Sequence, residues 1–304
     1  MVLKLVYIII LMIWCIYPLA SAEIQSIARS GCESKCGNVS IFFPFGMQDP
    51  KCYASKAFEI ECRHNRMQKP VPYLKNINVE VMYIDIQDGM VGIKNPIFHP
   101  GKNCERTGTG INLEGSPFVY SQSYNSFVAV GCQNAAFMTS NDDTILTACV
   151  SMCYDDLKNG DDIDIANCRG SYCCETSLPP NLSSYNVSVQ TVEVKSKIEP
   201  ECANVLIRAD YSLFEYVYDG YNSSYWAPTL GDLKSANDVP AVLEWEIPIH
   251  TPNNSFPEFP GYGDGSYKCS YTNVTSSQYS HSGWRCSCTY GLFQGNPYIQ
   301  GGCK

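Results

Sequence analysis

The stretch that decides the fold is Gly31-Cys-Glu-Ser-Lys-Cys-Gly-Asn-Val-Ser-Ile-Phe-Phe-Pro-Phe-Gly46. It brings together two cysteines, an N-glycosylation sequon at Asn38, three phenylalanines (Phe42, Phe43, Phe45) and a closing glycine. Thiols this close are either metal ligands or disulfide partners for cysteines further along. The phenylalanines read as core, because exposed Phe clusters are unusual, with stacking on a sugar ring as the other possibility. Gly46 reads as a turn that needs a permissive backbone.

Working outward, the chain has 304 residues with 17 cysteines, 4 histidines and a net charge of −9. Lys4 is the one charge before an apolar run from Leu5 to Leu19, and Ala20-Ser21-Ala22 supplies small residues for cleavage. That pattern makes 1–22 a secretory signal peptide, too short in its apolar part for a membrane span, and the mature chain a secreted one. Cleavage removes Cys15 and leaves sixteen cysteines, an even number that in an oxidising compartment implies eight disulfides. They are Cys32, Cys36, Cys52, Cys62, Cys104, Cys132, Cys149, Cys153, Cys168, Cys173, Cys174 and Cys202, then Cys269, Cys286, Cys288 and Cys303. A zinc site would recruit histidine or repeat a C-x2-C pair, and neither pattern occurs. Six sequons agree with export: Asn38, Asn181, Asn186, Asn222, Asn253 and Asn273.

Cysteine spacing divides the chain. Twelve mature cysteines precede residue 203 and four follow 268, with none between. Pro248, Pro252, Pro257, Pro260, Gly261, Gly263 and Gly265 mark 248–265 as an extended linker. Secondary structure reads as mostly β. Ile77, Val79, Val81 and Tyr83 alternate toward Asp88-Gly89, which turns into Val91-Gly-Ile93, a hairpin. Further strands are expected at Phe127–Val130, Tyr185–Val194 and Leu243-Glu-Trp245-Glu-Ile247, the last with glutamates toward water. Ile145, Leu146, Cys149 and Met152 suggest a short helix within 142–157.

Catalytic patterns are missing. There is no G-x-S-x-G, H-E-x-x-H or G-x-x-x-x-G-K, and His64, His99, His250 and His281 lack a nearby nucleophile. Asp161, Asp162 and Asp164 lack the Gly and Glu of a calcium loop and read as a solvated turn. No catalytic residue, metal or cofactor is assigned. Charge, however, is unevenly placed. Between Arg29 and Lys75 stand eight basic residues (Arg29, Lys35, Lys51, Lys56, Arg63, Arg66, Lys69, Lys75) against four acids, giving +4, and the rest from 76 onward carries −13. The overall acidity argues against nucleic acid, while a local positive field with neighbouring aromatics suits an anionic polymer. The basic residues are equally open to a plain solubilising role.

The opening stretch, with Cys52-Tyr and Phe58-Glu-Ile-Glu-Cys62, resembles the galacturonan-binding module of plant wall-associated receptor kinases, C-x3-C-G-N-V-x-I-x-Y/F-P-F-G followed by C-Y and F-x-I-x-C. Phe43 stands where many members have Tyr. Asn125-Ser-Phe-Val-Ala-Val-Gly-Cys132, Cys168-Arg-Gly-Ser-Tyr-Cys-Cys174 and Val239-Pro-Ala-Val-Leu-Glu-Trp245 are similar to the cysteine-rich associated region of those ectodomains. Gly283-Trp-Arg-Cys-Ser-Cys-Thr-Tyr-Gly-Leu-Phe-Gln-Gly-Asn-Pro-Tyr-Ile-Gln-Gly-Gly-Cys303 resembles their degenerate EGF-like repeat, with four cysteines in place of six.

The resemblance implies a disulfide-rich, mostly β chain of small modules in tandem: a galacturonan-binding module at 23–105, an associated region at 106–247, the linker, and a partial EGF-like module at 266–304. By analogy Cys269 pairs with Cys286 and Cys288 with Cys303, and the missing pair should loosen the N-terminal half of that last module. Family members continue into a calcium-binding EGF module, a membrane span and a kinase. A stop at Lys304 therefore reads as a truncated receptor-like product or an incompletely predicted gene. The implied function is a non-catalytic ectodomain, in the cell wall or at the plasma membrane, that binds pectin. Lys35, Lys51, Lys56, Arg63, Arg66 and Lys69 are the candidate contacts, with Tyr53 as a stacking platform. The alternative is a secreted module that pairs with other receptor ectodomains or peptide ligands.

Overall fold

The computed structural model describes residues 27–101, 104, 107–153, 168, 170–194, 201–210, 233, 236–248, 265–275 and 280–304. The signal peptide, the linker between 249 and 264, the acidic turn at Asp161–Asp164, and the sequons at Asn222 and Asn253 lie outside the described residues.

The first strands are β1 (Lys35–Cys36), β2 (Val39–Ser40), β3 (Gly46–Met47), β4 (Glu59–His64), β5 (Pro70–Leu74), β6 (Val79–Asp85) and β7 (Met90–Pro96). Next come β8 (Gly108–Thr109), β9 (Phe118–Tyr120), β10 (Asn125–Cys132), β11 (Asn134–Thr139), β12 (Ile145–Ser151), β13 (Cys173–Ser177), β14 (Asn186–Thr191) and β15 (Glu201–Ala209). The last are β16 (Asp238–Trp245), β17 (Ile247–Pro248), β18 (Tyr267–Thr275) and β19 (Ser280–Cys288).

The hairpin expected around Asp88-Gly89 is β6–β7. Alternation makes it: Val79 and Val81 turn inward, Glu80 outward. Asp85 fixes the turn by accepting from the backbone N–H of Gln87 (2.8 Å) and Asp88 (3.1 Å) through its side chain. Gly89 closes it at φ 64°, where a Cβ would be strained and would collide with Arg285. Gly46 is small for a different reason from the one its sequence suggests. It sits in β3 without positive φ, and a Cβ there would run into the Cys52 carbonyl.

Strands β3-β4-β5-β6-β7-β16-β9 form one seven-stranded sheet. Residues 23–105 and 106–247, expected as successive modules, thus share it: β16 pairs antiparallel with β7 from Asp238↔Pro96 to Glu244↔Met90. One face of β7 and β16 meets the main core, through Val91, Ile93, Ala241 and Leu243. The other is covered too, where Met90 and Val242 pack with Tyr83 and Ala209. Strands buried on both faces are the continuous apolar runs the chain shows at these positions.

The phenylalanines of the opening stretch divide. Phe43 and Phe45 are buried at 0% and 1% exposure, while Phe42 is half-buried. Phe45 meets Trp245 edge-on at 5.3 Å between ring centroids, Phe58 meets it at 5.7 Å and Tyr298 at 5.4 Å. Phe118 closes the cluster against Phe58 at 5.6 Å.

Two expectations are corrected. The segment read as a helix at 142–157 is strand β12 over Ile145–Ser151, and 154–157 lie outside the described residues. Its β-branched Ile145, Thr147 and Val150 favour extension, and pairing with β11 (Ala136↔Cys149) outweighs the helical spacing. Of the two glutamates in Leu243–Ile247, Glu244 stays partly exposed but Glu246 does not face water as expected. Glu246 is 6% exposed, and Arg285 from β19 covers both, at 3.2 Å from Glu244 and 3.9 Å from Glu246.

All sixteen mature cysteines are paired: 32–52, 36–62, 104–202, 132–153, 149–174, 168–173, 269–286 and 288–303. Cys104–Cys202 closes the longest interval, 98 residues. The C-terminal segment builds a three-stranded sheet, β17-β19-β18, held against the large sheet. Gln87 donates to the Gly295 carbonyl (2.6 Å) and accepts from the Cys288 N–H (2.9 Å). Asn296, fully buried, donates to the carbonyls of Ile27 (2.9 Å) and Phe43 (2.8 Å).

Trp245→Ala should cost about 3–5 kcal/mol in chemical denaturation, with lost near-UV dichroism, because it empties the cluster joining three parts of the chain. A Cys104→Ser/Cys202→Ser variant should lose about 4 kcal/mol, more than removal of the 5-residue Cys168–Cys173 bridge. Equal losses would contradict the loop-closure account.

Candidate functional site

The positive field expected between Arg29 and Lys75 sorts into paired and unpaired residues. Asp49 accepts from the Lys51 backbone at the start of a 3-10 turn, Pro50–Cys52, and its carboxylate lies 3.1 Å from Lys51 Nζ. Glu59, largely buried at the head of β4, takes both Lys75 Nζ (2.6 Å) and Lys56 Nζ (3.1 Å). Arg63 pairs with Glu61 (2.6 Å), donates to Asn78 Oδ1 (2.6 Å) and lies 4.4 Å over the Tyr73 ring. Three of the four acids in this region are therefore used locally.

Electrostatics follow the pairing. Burial by itself would raise the Glu59 carboxyl, but the hydrogen bonds from Lys75 and then Lys56 outweigh it and hold Glu59 below the ordinary carboxylate value. Lys56 is held above its usual value by Tyr53 first and Glu59 second. Arg29, over the Phe43 ring at 4.0 Å and donating to the Lys51 carbonyl (3.1 Å), is lowered by burial.

Lys35, Arg66 and Lys69 differ. Each is exposed, and none has a carboxylate partner among the described residues. Arg66 and Lys69 sit on the β4–β5 turn, which Asn65 shapes by accepting from the backbone N–H of Met67 (2.9 Å) and Lys69 (3.0 Å). Asn65 N–H in turn donates to the Lys69 carbonyl (2.9 Å). Lys35 is brought to the same end of the module by two constraints. The Cys36–Cys62 bridge ties β1 to β4, and Gly37, at φ 60°, lies against the Pro70 carbonyl. Charge repulsion among the three is tolerated because all stand in water.

Tyr53 is corrected as a stacking platform: its ring is 4% exposed and packs in the core beneath Lys56, whose Nζ lies 5.6 Å from the ring centre. The half-exposed aromatic on this side is Tyr73, which the sequence reading passed over although it alternates outward from Pro72 and Leu74 in β5. Asn38 is exposed at the tip of the β1–β2 hairpin. Asn181 is also exposed, while Asn186 is half-buried and donates to the Ser140 carbonyl (3.3 Å). Among the described residues no group of three or more His, Cys, Asp or Glu side chains could hold a metal. A cleft of about 1000 Å³ is lined by none of the candidate contacts, although Asn38, Val39 and Ser40 of the hairpin that carries Lys35 form part of its wall.

Residues 32–95 match the family described as wall-associated receptor kinase galacturonan-binding. The chain is 30% identical to wall-associated receptor kinase-like 10 of Arabidopsis thaliana over 90% of its own length and 39% of that protein. Residues 32–95 thus match the galacturonan-binding module of wall-associated receptor kinases, and the chain is similar to those relatives over 90% of its length. Wall-associated receptor kinase-like 1 is 28% identical over 91% of the chain and 38% of the relative, and wall-associated receptor kinase 2 is 26% identical over 91% and 34%, both from Arabidopsis thaliana. The chain spans about two fifths of the length of these curated relatives. No solved structure matches. Among the described residues no helix is long and apolar enough to cross a membrane. The unpaired bases Lys35, Arg66 and Lys69 all lie within the segment matched to the galacturonan-binding family.

Glu59, lowered in the folded state, contributes stability above the ordinary glutamate pKa and loses it as pH falls through its folded value. Below about pH 4.3 the wild-type chain should therefore lose stability that Glu59→Gln never had. Denaturation midpoints of the two should differ most near neutrality and converge as pH falls below the ordinary glutamate range.

Proposed function

We propose that this chain is an extracellular, non-catalytic ectodomain that binds de-esterified pectin at the basic end of its first module. The single observation that carries the reading is the group Lys35, Arg66 and Lys69, exposed and without carboxylate partners among the described residues, on two hairpins tied together by the Cys36–Cys62 bridge. A galacturonate residue offers one carboxylate, which a lysine meets as a point charge and arginine bidentately. Successive residues of the polymer present the same group again, so weak exposed pairings add through effective concentration. Lys51, Lys56 and Arg63, named beside them from the sequence, are already engaged with Asp49, Glu59 and Glu61 and rank below them. A glycan on Asn38, at the tip of the neighbouring hairpin, would bound this surface on one side.

The eight disulfides and the sequons support a place outside the cell, in the wall or at the plasma membrane as the outer part of a receptor. Kinase activity is not part of the proposal, because the matched region is two fifths of the relatives' length.

Oligogalacturonide binding should weaken steeply as salt rises from 50 to 300 mM. Exposed pairs contribute about 0.5–1 kcal/mol each, so Lys35→Glu/Arg66→Glu/Lys69→Glu should weaken binding at least tenfold. Lys51→Glu/Lys56→Glu should change it less. Titration calorimetry on the glycosylated chain reads both. Unaltered affinity in the triple variant, or no binding at low salt, would overturn the reading.

A further inference from the structure

The cleft set aside above lies between the first module and the C-terminal segment. Its walls are the β1–β2 hairpin with Phe42, the β6–β7 turn from Ile84 to Asp88, and the 287–295 stretch with Tyr290 and Phe293. These walls are fixed relative to one another. Gln87 bonds both Cys288 and Gly295 across the junction, Asn296 bonds Phe43, and Arg285 bonds Glu244. Such a cleft is already formed before a ligand arrives, so little ordering cost falls on binding.

Its chemistry is not that of a pectin site. No Lys, Arg or His lines it, whereas Asp85 and Asp88 do. Asp85 spends one oxygen on the turn, and Asp88 is exposed beside it. Burial first and the Asp85 charge second raise the Asp88 carboxyl, with Arg285 acting the other way. A second carboxylate polymer would be repelled here, and a cation would relieve the repulsion. The apolar part is as marked. Tyr290 is 99% exposed at the rim, beside the half-buried Phe42 and Phe293. Aromatic side chains left in water around a preformed cleft are a feature of binding surfaces.

We propose that this cleft binds a basic peptide segment, its lysine or arginine at Asp85 and Asp88 and its aromatic or aliphatic side chain between Phe42, Tyr290 and Phe293. The assignment rests on charge complementarity with an acidic, aromatic-rimmed cleft and does not depend on the pectin reading. The chain would then have two ligand surfaces of opposite sign, one for a polyanion at the Lys35–Lys69 end and one for a cationic peptide at the module junction.

The test uses the secreted, glycosylated chain and three fluorescent octapeptides: lysine alternating with leucine or phenylalanine, the same peptide with glutamate for lysine, and lysine alternating with serine. Anisotropy should show binding of the first, at least tenfold weaker binding of the second, and clearly weaker binding of the third. Asp88→Lys and Tyr290→Ala should each weaken the first peptide about fivefold or more. Both positions are exposed, so melting temperatures should stay at the wild-type value and confirm folding. Lys35→Glu/Arg66→Glu/Lys69→Glu should leave peptide affinity unchanged, which separates this site from the pectin surface. The proposal is overturned by no binding at millimolar peptide, by equal affinity for the lysine–serine peptide, or by indifference to both cleft variants. Displacement of the peptide by a neutral oligosaccharide such as cellohexaose would assign the cleft to sugar and overturn it as well.

Discussion

Trp245 is the side chain on which the rest of the arrangement depends. At 1% exposure it touches Phe45 and Phe58 from the first module and Tyr298 from the C-terminal segment, while its own strand runs beside β7. Rings in edge-to-face contact add to the area they bury, and three sequence-distant segments must be present at once to bury this one. β16 therefore has to enter the sheet formed by the first module, and the C-terminal segment has to fold back onto it. Arg285 follows from the same placement. With Trp245 inward, Glu244 and Glu246 point the other way, and a guanidinium from β19 bonds Glu244 and lies 3.9 Å from Glu246. Disulfides lock each local unit, but except for Cys104–Cys202 they join residues no more than 26 apart. The aromatic cluster supplies the long-range connection.

That dependence explains what the amino-acid order revealed and what it withheld. The β6–β7 hairpin was legible because alternation and an Asp-Gly turn are local signals. The buried state of Phe43 and Phe45 was legible because so many adjacent rings have few other places to go. Strand β12 was not, since Ile145, Cys149 and Met152 also fit a helical spacing and the deciding partner, β11, is a tertiary one. The water-facing reading failed at Glu246 for the same reason: Arg285, which covers it, stands some forty residues away in the chain. Tyr53 was chosen for its proximity to lysines, yet proximity along the chain does not say which way a ring turns.

The candidate site was legible as a charge sum and illegible as a surface. Eight bases against four acids gave +4, but only the fold shows Lys51, Lys56, Lys75 and Arg63 engaged with Asp49, Glu59 and Glu61. What remains for a ligand is concentrated at Arg66 and Lys69, on a turn organised by Asn65, and at Lys35 on the strand that the Cys36–Cys62 bridge ties to β4. The acidic remainder of the chain contributes Asp85 and Asp88 to a cleft built from the β6–β7 turn and the C-terminal stretch. Opposite charges thus gather at different places on one fold, an arrangement that suits ligands of opposite sign.

Hydrogen–deuterium exchange of the glycosylated chain, with and without a long oligogalacturonide at low salt, tests the central claim most directly. Binding at the basic end predicts slowed exchange in 35–37 and 64–70, with the 84–88 and 287–295 walls of the cleft unchanged. Protection confined to the cleft, or absent everywhere while the ligand is bound, would contradict it.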